Sequence, residues 1–344
     1  MKKRIAGAAL FGAGLFLLVV ALSLGFVVVP LLSRIPFDLK PPVTAVIAHD
    51  ATFVQATVVN DVPTAVIGHA DLVSTTGINP DAAAAADIGG SMKNKAVVWN
   101  VFTQTRRSDT GDVISSSNGR IAMDRVTGAA VAWNGECYAD QLGQACQASN
   151  IAYSGQLYAF PFNTRKTTYQ YYDITLRKAL PIEYQGTETV KGLTTYRFTQ
   201  VIPEQQLTVD TATLDFLAGS LAPGATGGSM WYSATRTVWV EPVTGSVVNY
   251  AEEQHRTLRT DSGASVVLLD AKFQYTPQTL TEVARQTSDG RLLLVGLGRW
   301  VPVALIVLAL AALVSGFLLT RRAARPVPSA AHRADEDRTE PAPV

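Results

Sequence analysis

Histidine and cysteine are scarce in this chain, with four and two among 344 residues. That leaves little material for a metal centre or for imidazole-based catalysis. No H-E-x-x-H, no G-x-S-x-G, no well-placed S-x-x-K and no glycine-rich phosphate loop occurs. A charge excess is missing as well, because 29 Lys and Arg stand against 28 Asp and Glu, a net charge of +1. A nucleic-acid partner calls for a basic footprint, so that class is set aside. The expectation is a chain without enzymatic activity, metal or cofactor.

The remaining candidates for chemistry are isolated. His49 stands beside Asp50, and His69 two residues before Asp71, so folding could join them in a metal or acid/base site. The alternative is that they are solvated loop polars. Glu252 and Glu253 in "NYAEEQHRT" are neighbours on a strand and point to opposite faces. They do not act as a pair; one is expected to be solvated and the other paired or at a rim.

What the chain has is apolar length at both ends. No charge interrupts Ile5 to Val29, and at 1.5 Å per residue this run reaches about 37 Å, enough to cross a hydrocarbon core of about 30 Å. It exceeds the apolar core of a cleaved signal and lacks a clear A-x-A-like site, so a signal anchor is the expected reading. A second uncharged run, Val301–Leu319, lies between Arg299 and the pair Arg321–Arg322. The expected organisation is a cytoplasmic start (1–4), a span (5–29), an extracytoplasmic domain (30–298), a second span (301–319) and a disordered cytoplasmic tail (320–344). Both termini then face the cytoplasm, at the inner membrane. Each span has one serine, Ser23 or Ser315, too little for a polar stripe along a helical pore. Small residues such as Ala8 and Gly12, or Ala312 and Gly316, are candidates for helix–helix contact.

Between the spans the pattern is that of strands. "KAVVWNVFTQTRR" meets the turn "SDTGD", then "VISSSNGRIAMD" runs into "RVTGAAVAW"; "TRTVWVE", "VVNYAEEQHRTLRT" and "SVVLLDAKFQYT" are separated by "PVTGS" and "DSGA". These read as antiparallel hairpins with glycine supplying the turns. "DRVTGAAV" echoes "EPVTGSVV", and "RSDTG" echoes "RTDSG". Duplication and repeated hairpin chemistry both explain this, and the differing order in the two halves favours the second. Short helices are expected in "PDAAAAADIGG" and in "TVDTATLDFLAG", with Gly219 as terminator. The fold class is mainly β: an antiparallel, barrel-like or curved-sheet exported domain between two transmembrane helices. Cys137 and Cys146 both fall in that exported part, where a close pair most readily forms a disulfide staple.

Ten of the 28 aromatic residues fall between Tyr153 and Phe198, most densely in "YAFPFNTRKTTYQYYD". Tyr169 and Tyr171 share one strand face and Tyr172 takes the other, while Pro161 argues against an uninterrupted strand. Most of these rings read as core. A cleft for an apolar or sugar-bearing ligand is the other reading, with Phe160, Phe162, Tyr169, Tyr171 and Tyr172 as its walls and Arg165 and Lys166 at anionic headgroups.

This aromatic run, with "PIEYQGTETVKGLTTYRFTQVIP", "VWNVFTQTRR", "MDRVTGAAV" and "WVEPVTGSVVNYAEE", resembles the actinobacterial cell-envelope family termed porin PorA, from the first span to about residue 320. The resemblance implies a two-pass envelope protein with no catalytic residues to carry over. Association with membrane lipid or lipoglycan, in support of envelope assembly and with assembly proteins as partners, is the expected role; an oligomeric porin or channel component is the alternative, and an enzyme without a recognisable motif the third. The layout is also similar, as architecture alone, to scavenger-receptor-type proteins whose β-rich ectodomain holds an apolar tunnel. The sequence does not fix the ligand, the transport role or the oligomeric state.

Overall fold

The computed structural model describes residues 2–140 and 144–322. It divides into two compact units, one made of the two apolar helices and the other spanning Val29–Val295. His332 and the expected tail beyond residue 322 lie outside the described residues.

In the helical unit, α1 (Lys2–Ser23) pairs with α6 (Val301–Arg322). Glycine permits the close approach. A Cβ on Gly14 would stand 2.8 Å from the Ala309 carbonyl oxygen, and one on Gly316 would stand 2.7 Å from the Gly7 carbonyl oxygen. The contact face is therefore Gly7, Gly14 and Gly316. Of the expected residues Gly316 takes part, whereas a Cβ on Gly12 would meet nothing and Ala8 is exposed. α1 continues through a π turn (Leu24–Val28) into α2 (Val29–Leu32).

The second unit is an antiparallel sheet of eleven strands in the order β5-β4-β3-β2-β1-β11-β10-β9-β8-β7-β6. β1 (Thr44–Val59) and β2 (Val62–Pro80) form a long hairpin. Its turn is set by Asn60 and Asp61, at φ 50° and 64°, residue types that tolerate positive φ in tight turns. β3 (Ala96–Arg107) and β4 (Val113–Asp124) follow, then β5 (Cys137–Ala139), β6 (Tyr169–Asp173), β7 (Lys178–Val190), β8 (Leu193–Gln206), β9 (Gly228–Glu241), β10 (Ser246–Thr260) and β11 (Ser265–Tyr275). The expected hairpins are present. "RVTGAAVAW" is not a further strand, however; it makes one isolated bridge, Met123 to Ala130, after a turn.

The sequence echoes mark matching turns. Asp124 Oδ1 accepts from the amides of Val126 and Thr127, and Glu241 accepts from those of Val243 and Thr244. Each turn ends in glycine, Gly128 at φ 67° and Gly245 at φ 73°. A carboxylate that caps the turn and a residue free to take positive φ are the shared requirement.

α3 (Ala82–Ala86) is capped by Asp81, whose carboxylate accepts from the Ala84 amide. α4 (Thr211–Leu221) is capped by Asp210 and runs past Gly219, so that glycine does not end it. The helix stops at Ala222, whose backbone is extended ahead of Pro223. α5 (Pro277–Val295) was not evident as a separate element in the sequence pattern. It starts with proline at its first position, buries Val283 and Ala284, packs Ala284 with Leu193 and Val248, and runs through a π turn into α6.

The two edge strands, β5 and β6, are brought together by the chain between them. Ala130 N–H donates to the Gly155 carbonyl, Gln156 N–H to Gln170 and Tyr172 N–H to Gln156, at 2.7–2.8 Å. Gly155 sits at φ 68°, and a Cβ there would stand 2.4 Å from the Gln170 carbonyl oxygen, so only glycine fits. Tyr153 donates its hydroxyl to the Cys137 carbonyl and packs against Tyr172 at 5.2 Å between ring centroids. Val97, Ile121 and Met123 from one end of the strand order and Tyr172 from the other share one buried cluster. The sheet thus curls into a half-barrel closed by a seam.

Cys137 and Cys146 are disulfide-bonded beside this seam. Replacing both with Ser opens a loop of about ten residues and lowers stability by about 2.5 kcal/mol, or about 5–10 °C in melting temperature for a unit of this size. Thermal unfolding of the wild type and the double variant checks this; an unchanged melting temperature would show that the loop is held without the bond.

Candidate functional site

The concave face of the half-barrel holds a cavity of about 970 Å³, partly open to solvent, at the upper end of the range for pockets that bury a small ligand. The pleat explains its shape. On β10, Tyr250, Glu252, Gln254 and Arg256 alternate inward, and with Ser246 they extend the lining over eleven residues, ten steps or about 33 Å at ~3.3 Å per residue. On β2, Leu72, Ser74, Thr76 and Ile78 form the matching row. Trp99, Tyr158, Phe162, Phe273 and Tyr275 add ring faces. The cavity is long and mostly apolar, and Arg34, Arg236, Glu252 and Arg256 are its charged lining residues.

Arg236 is the anchor of its polar wall. The guanidinium, 6% exposed, donates to Asp173 at 3.0 Å, to Tyr250 Oη at 3.1 Å, to Gln200 Oε1 and to Glu252. Tyr250 donates to Glu252 at 2.6 Å, Tyr232 to Asp173 at 3.0 Å, and Gln200 reaches the Tyr171 and Leu180 carbonyls. Four strands (β6, β8, β9 and β10) are therefore joined inside the barrel by one charge cluster. Burial by itself lowers the Arg236 pKa, but Glu252, Tyr250, Tyr171 and Asp173 outweigh it and hold the group well above its ordinary value. Burial pushes Tyr250 up, and the neighbouring Glu252 adds to this. Tyr171 and Tyr172 are both pushed up to about 12 by burial. These phenols are neutral at physiological pH and act as hydrogen-bonding and packing groups.

The aromatic stretch divides between core and cavity. Phe160 is 1% exposed and packs on Tyr169, Tyr171 and Phe198 at 5.2–6.0 Å between centroids. Tyr171 and Tyr172 are also buried, in two different clusters, as their opposite strand faces require. Phe162, Tyr171 and Tyr172 line the cavity, whereas Phe160, Tyr169, Arg165 and Lys166 do not. Arg165 and Lys166 are exposed in a turn, and the Lys166 ammonium lies over the rings of Tyr184 and Tyr196. Pro161 does interrupt the strand pattern, and the segment has a distinct task. Phe160 N–H donates to Gly245, Phe162 N–H to Val126 and Asn163 N–H to Val243. "FPFN" thereby stitches the two echoing turns together at one end of the barrel.

Sequence patterns did not single out Arg34, Arg236 or Arg256. Arg236 and Glu252 do sit at alternating, inward positions of strands, and a charge there is the signal that marks a buried partner. Both neighbouring carboxylates are paired: Glu252 is buried against Arg236, and Glu253, on the exposed face, pairs with Lys272 at 2.9 Å. Folding also joins His49 to Asp71 at 2.7 Å, with half or more of the imidazole exposed, at a bulge of β1, while His69 meets Thr52 instead. Hydrogen bonds from the Asp50 amide and His49 hold the Asp71 pKa below its usual value. Among the described residues no group of three or more His, Cys, Asp and Glu is placed to hold a metal ion.

Comparison with known proteins matches residues 6–318 to the family described as Porin PorA. The chain belongs to the Porin PorA family. A relative from Corynebacterium amycolatum, named Porin PorA, is 27% identical over 187 residues, 45% of this chain. The match spans 47% of that relative, about half its length. The family match takes in both apolar helices, Arg4–Leu32 and Pro277–Arg321, each long and apolar enough to cross a membrane. The chain is accordingly a membrane protein with two transmembrane helices and a β-rich unit, in a family whose name places it in the envelope.

The Arg236 cluster sets a stability test. Arg236→Met strands two buried carboxylates and costs about 3–5 kcal/mol; adding Asp173→Asn and Glu252→Gln recovers part of the loss. Denaturant unfolding of the three proteins measures both effects. A single variant as stable as the wild type would show that the cluster does not hold the strands together.

Proposed function

We propose that this chain is a porin-type component of the cell envelope, acting as an oligomer that contributes to a channel. The observation that carries the reading is the family match across both helices and the whole sheet. Physical constraints narrow how it would work. A membrane-crossing barrel needs a continuous lipid-facing apolar band and no open edge. Here the outward positions of β7 include Glu183 and Glu188, and those of β10 include Glu253, so the half-barrel is read as a solvated unit outside the bilayer. The bilayer part of the channel then falls to α1 and α6, whose outer faces are apolar, and one helix pair has no polar stripe of its own. Several copies are needed to line a path. Both ends of the described chain lie on one side of the membrane in this reading, with the half-barrel extracytoplasmic and tied to the inner membrane.

The cavity favours a second reading, in which the half-barrel binds or presents membrane lipid in support of envelope assembly. Its supporting observation is the long apolar lining. A hydrocarbon leaflet is about 15 Å deep, half of a core of about 30 Å, so the cavity is long enough for an extended acyl chain. Catalysis forms no part of either reading; substrate turnover lost on His49→Ala or Asp71→Asn would oppose both.

The full chain reconstituted in planar bilayers tests the first reading. Discrete conductance steps are expected, rising with protein concentration more steeply than linearly as copies assemble. Protein incorporated into the bilayer without steps above the detergent control would reject the channel role and leave the cavity reading.

A further inference from the structure

Among the charges on the cavity wall, Arg34 is distinctive. Arg236 is saturated by carboxylates; Arg256, whose Nε is also buried without a partner, still donates through its terminal nitrogen to Thr175 at 3.0 Å and lies over the Tyr232 ring. Arg34 has no ion-pair or hydrogen-bond partner among the described residues, and its Nε is shut away from solvent. Its neighbour is another cation. Arg125 spends its guanidinium on the carbonyls of Ile35 and Asn94 and on the face of Phe37, 3.8 Å from the ring centroid. Ile35, the residue after Arg34, donates its N–H to the Arg125 carbonyl at 2.7 Å and accepts from Arg125 Nε at 2.7 Å, which sets the two positive side chains near each other; in keeping with this, burial first and then Arg34 lower the Arg125 pKa. Two half-buried guanidinium groups side by side with no carboxylate repel each other, and an incoming anion relieves the repulsion.

This pair also stands at a defined end of the cavity. Arg125 begins the turn that "FPFN" joins to the turn at Val243, and Thr244, Gly245 and Ser246 line the cavity there. Leu32 and Leu294 are also among the lining residues. The apolar rows of β2 and β10 lead away from it. Building on the lipid reading above, we infer that the cavity is a site for an anionic amphiphile, its acidic headgroup held by Arg34 with Arg125 behind it and its acyl tail laid along the inward rows of β2 and β10.

The test uses the full chain in detergent, delipidated, with fluorescent phosphatidylglycerol and phosphatidylcholine carrying the same labelled acyl chain. Charge-assisted hydrogen bonds to a phosphate with no second cationic group predict that phosphatidylglycerol binds about tenfold more tightly. Arg34→Gln, at a position without internal partners, should erase the preference while phosphatidylcholine binding stays within about twofold. Ser74→Trp, which places a large ring in the β2 row, should weaken both lipids. Equal binding of the two lipids, unaltered by Arg34→Gln, would overturn the headgroup assignment and leave the lipid reading standing. Binding of neither lipid would overturn both. If inorganic phosphate binds as tightly as the lipid and Ser74→Trp changes nothing, the anion is a free phosphate and the amphiphile is rejected.

Discussion

Closure of the sheet is the constraint on which the rest of the structure depends. Eleven antiparallel strands with an apolar inner face expose two edges and a broad hydrophobic surface unless the sheet curls and its ends meet. Here the ends meet through a narrow seam of Gly155, Gln156 and Tyr153 set between β5 and β6. Barrels of about eight strands have an interior that side chains can fill or that holds one small ligand. Eleven strands leave more room than the aromatic rings occupy, and the cavity follows from that surplus.

A roomy interior asks for a device that fixes the strands without filling the space. Arg236 supplies it by fastening four strands through two carboxylates, a glutamine and the Tyr250 hydroxyl, with Tyr232 bracing Asp173. Such a cluster is poor evidence of stability in itself, because burial of the charges offsets much of their attraction. Its effect is specificity: each group has one partner geometry, and slipping β9 by one residue would turn Arg236 to the outer face. At one end of the cavity Arg34 is left without a counter-charge, with Arg125 near it, and it is this asymmetry that gives the apolar cavity a polarity. The helix pair obeys a separate rule, in which glycines on both helices bring the backbones within reach of each other without a hydrophobic driving force.

Much of the fold was legible in the sequence. The apolar runs, the hairpins of β3–β4 and β9–β11, the disulfide, and the opposite faces of Glu252 and Glu253 all follow from local periodicity and turn chemistry. Ring burial at Phe160, Tyr171 and Tyr172 follows from residue type. The misses share a cause, in that each depends on contacts between distant segments. α5 merges with the apolar run after it, so its own amphipathic face is hard to separate. "RVTGAAVAW" has strand composition but is taken up by the turn at Asp124 and by the seam. The cavity, the stitching role of "FPFN" and the isolation of Arg34 depend on which strands curl together, and no local pattern carries that information.

Amide hydrogen exchange of the full chain, read at Ala130 and Tyr172, on the two sides of the seam, tests closure most directly. Both amides donate to backbone carbonyls across the seam, so the account predicts protection comparable to that of Val238 in the middle of β9. Exchange as fast as at the exposed turn glycines Gly111 and Gly263 would mean that the sheet is open, and the cavity on its concave face would go with it.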